Sequence, residues 1–152
     1  MTGHDWRGRT RTAEELLELI ESRLRDKGPC EEIVDSAEEL LDLIWKFNAQ
    51  LIGNDGIRAV FIRTYKLSGA ALPLLQKVKV AKNRIDFAEL RLYASEIQCD
   101  AVEIVDTILE LAMVVIQIIS EMTGEAMTAP MLQRLKHYSG PAERISGNGS
   151  PE

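Results

Sequence analysis

Along most of this chain, apolar residues recur three and four positions apart with charged residues between them, and Gly and Pro fall at the edges of these stretches. That spacing lays an apolar face along an α-helix. Clean period-two alternation is almost confined to "KVKV", Lys77 to Val80. The pattern predicts an all-α bundle of five to six helices around one long helix.

The first helix starts at Thr12, which has capping-box spacing to Glu15. It carries Leu16, Leu17, Leu19, Ile20 and Leu24 on one face and ends near Lys27, before Gly28 and Pro29. The second runs from about Glu32 or Asp35 to Leu51, with Leu40, Leu41, Ile44, Phe47 and Leu51 inward, and Gly53 stops it. A short third helix, 56–67, aligns Ile57, Phe61 and Tyr65. The piece 68–83 reads as a short helix plus loop, because a lone "KVKV" strand has no ladder partner.

The long helix is expected at about 86–122, with Asp86 and Glu89 as its capping pair. Phe87, Leu90, Tyr93, Ala94, Ile97, Ile104, Ile108, Leu111 and Val115 form one apolar arc. At a rise of about 1.5 Å per residue it would reach about 54 Å, long for a small domain. A last helix covers 129–138, with Pro130 in its first turn. The expected organisation is a flexible tail at 1–11, one helical domain at 12–138 and a disordered tail at 139–152. Residues 53–66 and 123–136 align without gaps, each after a long amphipathic helix, which raises a pseudo-repeat of two helix–turn–helix halves.

A net charge of −6 argues against broad nucleic-acid binding, which needs a basic surface to neutralise phosphates. The longest apolar run is Leu111 to Ile116. A helix that crosses a bilayer needs roughly 20 residues, so this run falls far short. Two cysteines, Cys30 and Cys99, are too few for a disulfide scaffold and form no CxxC pair. The expectation is a reducing cytoplasm with both thiols free. Size and simplicity suit a bacterial protein.

Charge is segregated along the chain. Glu96, Asp100, Glu103, Asp106 and Glu110 share about 120° of helical arc. No Lys or Arg occurs from Leu92 to Glu125. Like charges four apart repel by a few tenths of a kcal/mol; a divalent cation on the stacked carboxylates or a basic partner would relieve this stripe, and the alternative is an ordinary solvated helix face that happens to be acidic. The middle of the chain, from Arg58 to Arg91, is strongly basic and includes Arg58, Arg63 and Lys66. That segment could lie along the acidic helix, within one chain or across a dimer, and it is the candidate for weak phosphate contacts with nucleic acid. Beyond Leu111 the helix is apolar nearly all round, which calls for burial on every side, in the domain's centre or in a homodimer interface.

Two further acidic pairs stand in "EELLE" and "EELLD": Glu15-x-x-Glu18 and Glu39-x-x-Asp42. Together they resemble the paired motifs of the MazG-type all-α nucleoside triphosphate pyrophosphohydrolases, over about residues 12–51. The resemblance implies that the four carboxylates hold Mg²⁺, which bridges the triphosphate and helps to activate water. This chain departs from the pattern at Leu41, where the family has a small residue, and the wheel sets the four acids opposite the Leu/Ile faces.

Gly-rich phosphate loops, GxSxG and HExxH are absent from the sequence. The reading that best fits the pattern is a non-catalytic adaptor or scaffold, self-associating through helix surfaces and needing no cofactor. Its candidate surfaces are the acidic stripe and the basic helix from Gly56.

Overall fold

The computed structural model describes residues 11–25 and 28–137. The expected tails lie outside these residues, apart from Arg11, which is already helical. The chain is an all-α bundle: α1 (Arg11–Arg25), α2 (Cys30–Ser68), two 3₁₀ turns (Gly69–Ala71 and Pro73–Lys77), a hairpin of β1 (Lys79–Val80) and β2 (Ile85–Asp86), then α3 (Ala88–Ala94), α4 (Ala101–Thr123) and α5 (Glu125–Lys136).

At the centre lies α4, packed against α1, α2 and α5. Its Ile104, Ile108, Leu111, Ala112, Val115 and Ile116 are fully buried. Leu16, Ile20 and Leu24 of α1 and Leu40, Leu41 and Ile44 of α2 close over it, as their periodicity predicts. Burying a Leu or Ile side chain stabilises by about 1.5–3 kcal/mol, so this aliphatic centre dominates the fold. The apolar stretch beyond Leu111 is thus covered on most sides by the chain's own helices, with Val114 and Ile118 half-buried.

Two glycines set the large bends. Gly53 has φ 84° and ψ 160° and kinks α2 into arms 30–52 and 54–68. Residues with a Cβ rarely adopt that conformation. The sequence stop at Gly53 is correct, but the helix resumes at once, and the rings of Trp45 and Phe61 meet across the bend with centroids 5.4 Å apart. Gly124, at φ 61°, turns the chain from α4 into α5, the usual role of a glycine at a helix end. Because α5 starts at Glu125, Pro130 lies inside it rather than in its first turn, which removes a backbone donor from the ladder.

Four expectations are corrected here. First, "KVKV" does find a ladder partner: Lys79 pairs with Asp86 and Val80 with Ile85, antiparallel. The hairpin is clamped to the second arm of α2. The Trp45 indole donates to Asn54 Oδ1 (2.9 Å), Asn54 Nδ2 donates to the Lys82 carbonyl (2.9 Å), and the Tyr65 hydroxyl donates to the Val78 carbonyl.

Second, the long helix at 86–122 is interrupted: 95–100 form a non-helical linker between α3 and α4. Ile97, placed by periodicity on the apolar arc, is 100% exposed, and Leu51 is also largely exposed. Third, the expected capping pairs are used otherwise. Thr12 is helical and donates to Glu125 Oε1 (2.9 Å), while Asp86, two residues before α3, accepts from the amide of its first residue, Ala88. Fourth, the thiols are not free: Cys30 and Cys99 form a disulfide. The pseudo-repeat is not confirmed.

Candidate functional site

The linker 95–100 gathers the unusual chemistry of the molecule. α3 ends as the Ser95 and Glu96 amides donate to carbonyls of the preceding turn. The chain turns back so that the Asp100 amide donates to the Tyr93 hydroxyl (2.9 Å). Asp100 then caps α4, its Oδ1 accepting from the Glu103 amide (3.2 Å), as a favoured N-cap residue does. This capping goes with a break in the helix where no Gly or Pro stands and the period itself continues: Asp100, with extended φ/ψ, starts the next helix.

Cys99 packs partly against the core, and its sulfur is bonded to that of Cys30, the first residue of α2, with a Cα–Cα distance of 6.8 Å. The bond ties the linker to the start of α2. Upstream, α3 is fixed separately. Leu90 and Ala94 are buried, and Arg91 makes ion pairs with Asp35 and Glu38 of α2.

The surface around this anchor is acidic and unusually apolar. Leu92 is 69% exposed, Ile97 100% and Val102 61%. Ser95, Glu96, Gln98 and Asp100 are exposed among them. Single exposed apolar residues are ordinary, whereas several within 92–102 are the kind of feature that marks an interaction surface.

The predicted acidic stripe divides between two settings. Glu96 stands on the linker, off the helix. Asp100, Glu103, Asp106 and Glu110 remain in or at α4, with Glu103 and Glu110 half-buried. The basic residue that meets Asp106 is Arg25 of α1 (3.3 Å), whose guanidinium is held above its ordinary pKa first by its hydrogen bond to Glu21 and then by Asp106. Arg91, from the basic middle, is instead paired with acids of α2.

Of the basic candidates, Arg58 is half-buried and its Nε donates to the Ala81 carbonyl (3.3 Å), which makes it a third clamp on the hairpin, beside Asn54 and Tyr65. Arg63 and Lys66 are exposed, and beside them Leu67 is 64% exposed. The second arm of α2 thus presents two cations next to an apolar side chain.

For the paired acidic motifs, Glu15 and Glu18 line one surface depression with Arg11 and Glu14, so its described lining comes entirely from α1. Glu15 pairs with Arg11 (3.7 Å) and Asp42 with Lys46 (3.1 Å), each within its own helix. Glu18 is exposed and Glu39 half-buried. Among the described residues, no group of three or more His, Cys, Asp and Glu could hold a metal ion, and no helix is long and apolar enough to cross a membrane.

Sequence reasoning missed Leu92, Ile97 and Val102 as surface residues, and it missed the Cys30–Cys99 bond. Cys30 follows Pro29 at a readable segment boundary, but the boundary beside Cys99, set by the capping Asp100, emerges only in the fold. Comparisons with profiles of known protein families, with curated proteins and with solved structures find no match for this chain.

Proposed function

We propose that the chain is a non-catalytic interaction protein of the cytoplasm, an adaptor or scaffold that works by self-association. The acidic, apolar-studded segment 92–106 of one copy receives the second arm of α2 of another, with Arg63, Lys66 and Leu67. The observation that carries this reading is the full exposure of Ile97, among acids, on a linker that a covalent bond holds in place. Complementary chemistry stands exposed on the same chain, in Arg63, Lys66 and Leu67.

The two kinds of group have different tasks. Exposed ion pairs contribute little, about 0–1 kcal/mol each, so charge sets orientation and speeds encounter while apolar contact supplies affinity. In a two-fold dimer the acid-to-base contact forms twice, which doubles a modest interaction.

Light scattering and sedimentation on the full chain test this. The expected result is a dimer that weakens as salt rises through the range where surface charges become screened. Arg63→Glu with Lys66→Glu should give a monomer, and so should Glu96→Lys with Glu103→Lys. Mixed, these two variants should form a heterodimer, because each supplies the charge the other lacks. A monomeric wild-type chain at all concentrations and salts would refute the reading. Mg²⁺-dependent release of pyrophosphate from nucleoside triphosphates, lost in Glu39→Gln, would replace it with the pyrophosphohydrolase reading.

A further inference from the structure

We propose that the Cys30–Cys99 disulfide is a reversible thiol switch for the α3–α4 linker: its reduction releases residues 95–100 while the bundle around α4 persists.

The geometry separates the linker from the rest of the fold. Its Ser95, Glu96, Ile97, Gln98 and Asp100 are exposed, and Cys99 is the residue that packs against the core. The hydrogen bonds that shape it are local, from Cys99 N to the Glu96 carbonyl, Asp100 N to Tyr93 Oη and Glu103 N to Asp100 Oδ1. Few buried contacts and solvent-exposed backbone bonds are what make a segment open locally. The flanks have their own anchors: Arg91 with Asp35 and Glu38 before the linker, buried Ile104 and Ile108 after it. The disulfide is therefore the long-range tie of the linker itself, and its removal leaves both flanks docked.

The chemistry suits reversal. Cys30 is buried, 8% exposed, whereas Cys99 is only partly buried and lies between exposed neighbours, so an incoming thiolate has the shorter approach to Cys99. Attack there forms a mixed disulfide and expels Cys30 as a thiolate. Cys30 opens α2, where the amides of the first turn offset part of the cost of leaving a thiolate at a buried position. Glu31 and Glu32 of the same turn are exposed, where solvent screens them. The second thiol of the reductant then attacks the mixed disulfide and frees Cys99. A protein dithiol of the CxxC kind thus gives two electrons and two protons and ends as a disulfide, while the chain ends with two thiols. The return step is the reverse exchange: a low-molecular-weight disulfide such as oxidised glutathione takes the two electrons and leaves as two thiols while the Cys30–Cys99 bond re-forms, so in the cytoplasmic setting proposed above the pair cycles.

The effect on association rests on the docking reading: the oxidised chain presents Ile97 and Glu96 in a fixed arrangement, and the reduced chain must order them on binding.

Hydrogen exchange by mass spectrometry on the full chain, oxidised and reduced by dithiothreitol, tests the switch at concentrations where the chain is monomeric. Reduction should bring exchange at 95–100 up by about tenfold or more, while 104–119 keeps exchanging at least about a hundredfold more slowly than an unfolded chain. Cys99→Ser should match the reduced form and ignore the reductant, and reoxidation should restore protection. Unchanged exchange in the linker would overturn the proposal. So would loss of protection throughout 104–119, because the bond would then be a staple of the whole fold. Sedimentation of both forms decides the second part: the reduced dimer should dissociate about tenfold more readily, and equal association would overturn the gating. A monomer in both forms would sink the docking reading instead, while the exchange result still decides the switch.

Discussion

Helix α4 and the linker that leads into it are adjacent in the chain and share one hydrophobic period, yet they are held by different physics. α4 is fixed by burial: Ile104, Ile108, Leu111, Val115 and Ile116 are sealed from solvent among α1, α2 and α5. The linker exposes Ile97 entirely and is fixed by a disulfide, a capping aspartate and a few local hydrogen bonds. The difference separates the residues that make the fold from those left available for contact. A buried side chain of α4 cannot change without changing the core, whereas an exposed one in the linker, such as Ile97 or Glu96, can change at almost no cost to stability.

The largest expected effect is in the core. Leu111→Ala should lower the unfolding free energy by about 2–5 kcal/mol in urea titration, because it leaves a cavity where little can collapse. A loss under about 1 kcal/mol would mean that α4 is not the centre of the bundle. Next comes the covalent tie. Cys30 and Cys99 are 69 residues apart in sequence. Reduction should therefore cost about 2–4 kcal/mol by freeing the unfolded chain, with a single cooperative transition retained. A non-cooperative melt after reduction would erase the distinction between linker and core.

At the junction, Asp100→Ala removes the cap of α4 and should cost about 1 kcal/mol, with Asp100→Asn nearly neutral. The smallest of these effects concerns α3, where Arg91 makes exposed ion pairs to Asp35 and Glu38. Arg91→Ala breaks them and should cost under about 1 kcal/mol, less at high salt.

Much of the fold was legible in the sequence, and particular residues show where legibility ended. The inward faces of α1 and of the first arm of α2 follow from spacing alone, since Leu16, Ile20, Leu40 and Ile44 recur at helical intervals. Gly53 was readable as a stop, but nothing local says whether the chain departs or resumes; the contact of Trp45 with Phe61 across the bend decides it. The hairpin escaped because the partner of "KVKV" is only Ile85–Asp86, held by Asn54 and Tyr65 from another element.

The candidate surface was half legible. Its acids and bases stand in the sequence, and Glu96, Asp100, Arg63 and Lys66 belong to it. Ile97 was assigned to the core because the period runs unbroken from Phe87 to Val115, and a period cannot register that Asp100 starts a new helix. The pairing of Cys30 with Cys99 was out of reach for the same reason: a continuous helix through 99 would have placed that cysteine on a different course.

The most direct test of the central claim, that the linker serves contact and not folding, compares Ile97→Ser with the wild-type chain in two readouts at once, self-association by sedimentation and stability in urea. The account predicts that the dimer dissociation constant rises by about tenfold or more while the unfolding free energy stays within about 0.5 kcal/mol. Unchanged association, or a fall in stability comparable to that of Leu111→Ala, would contradict it.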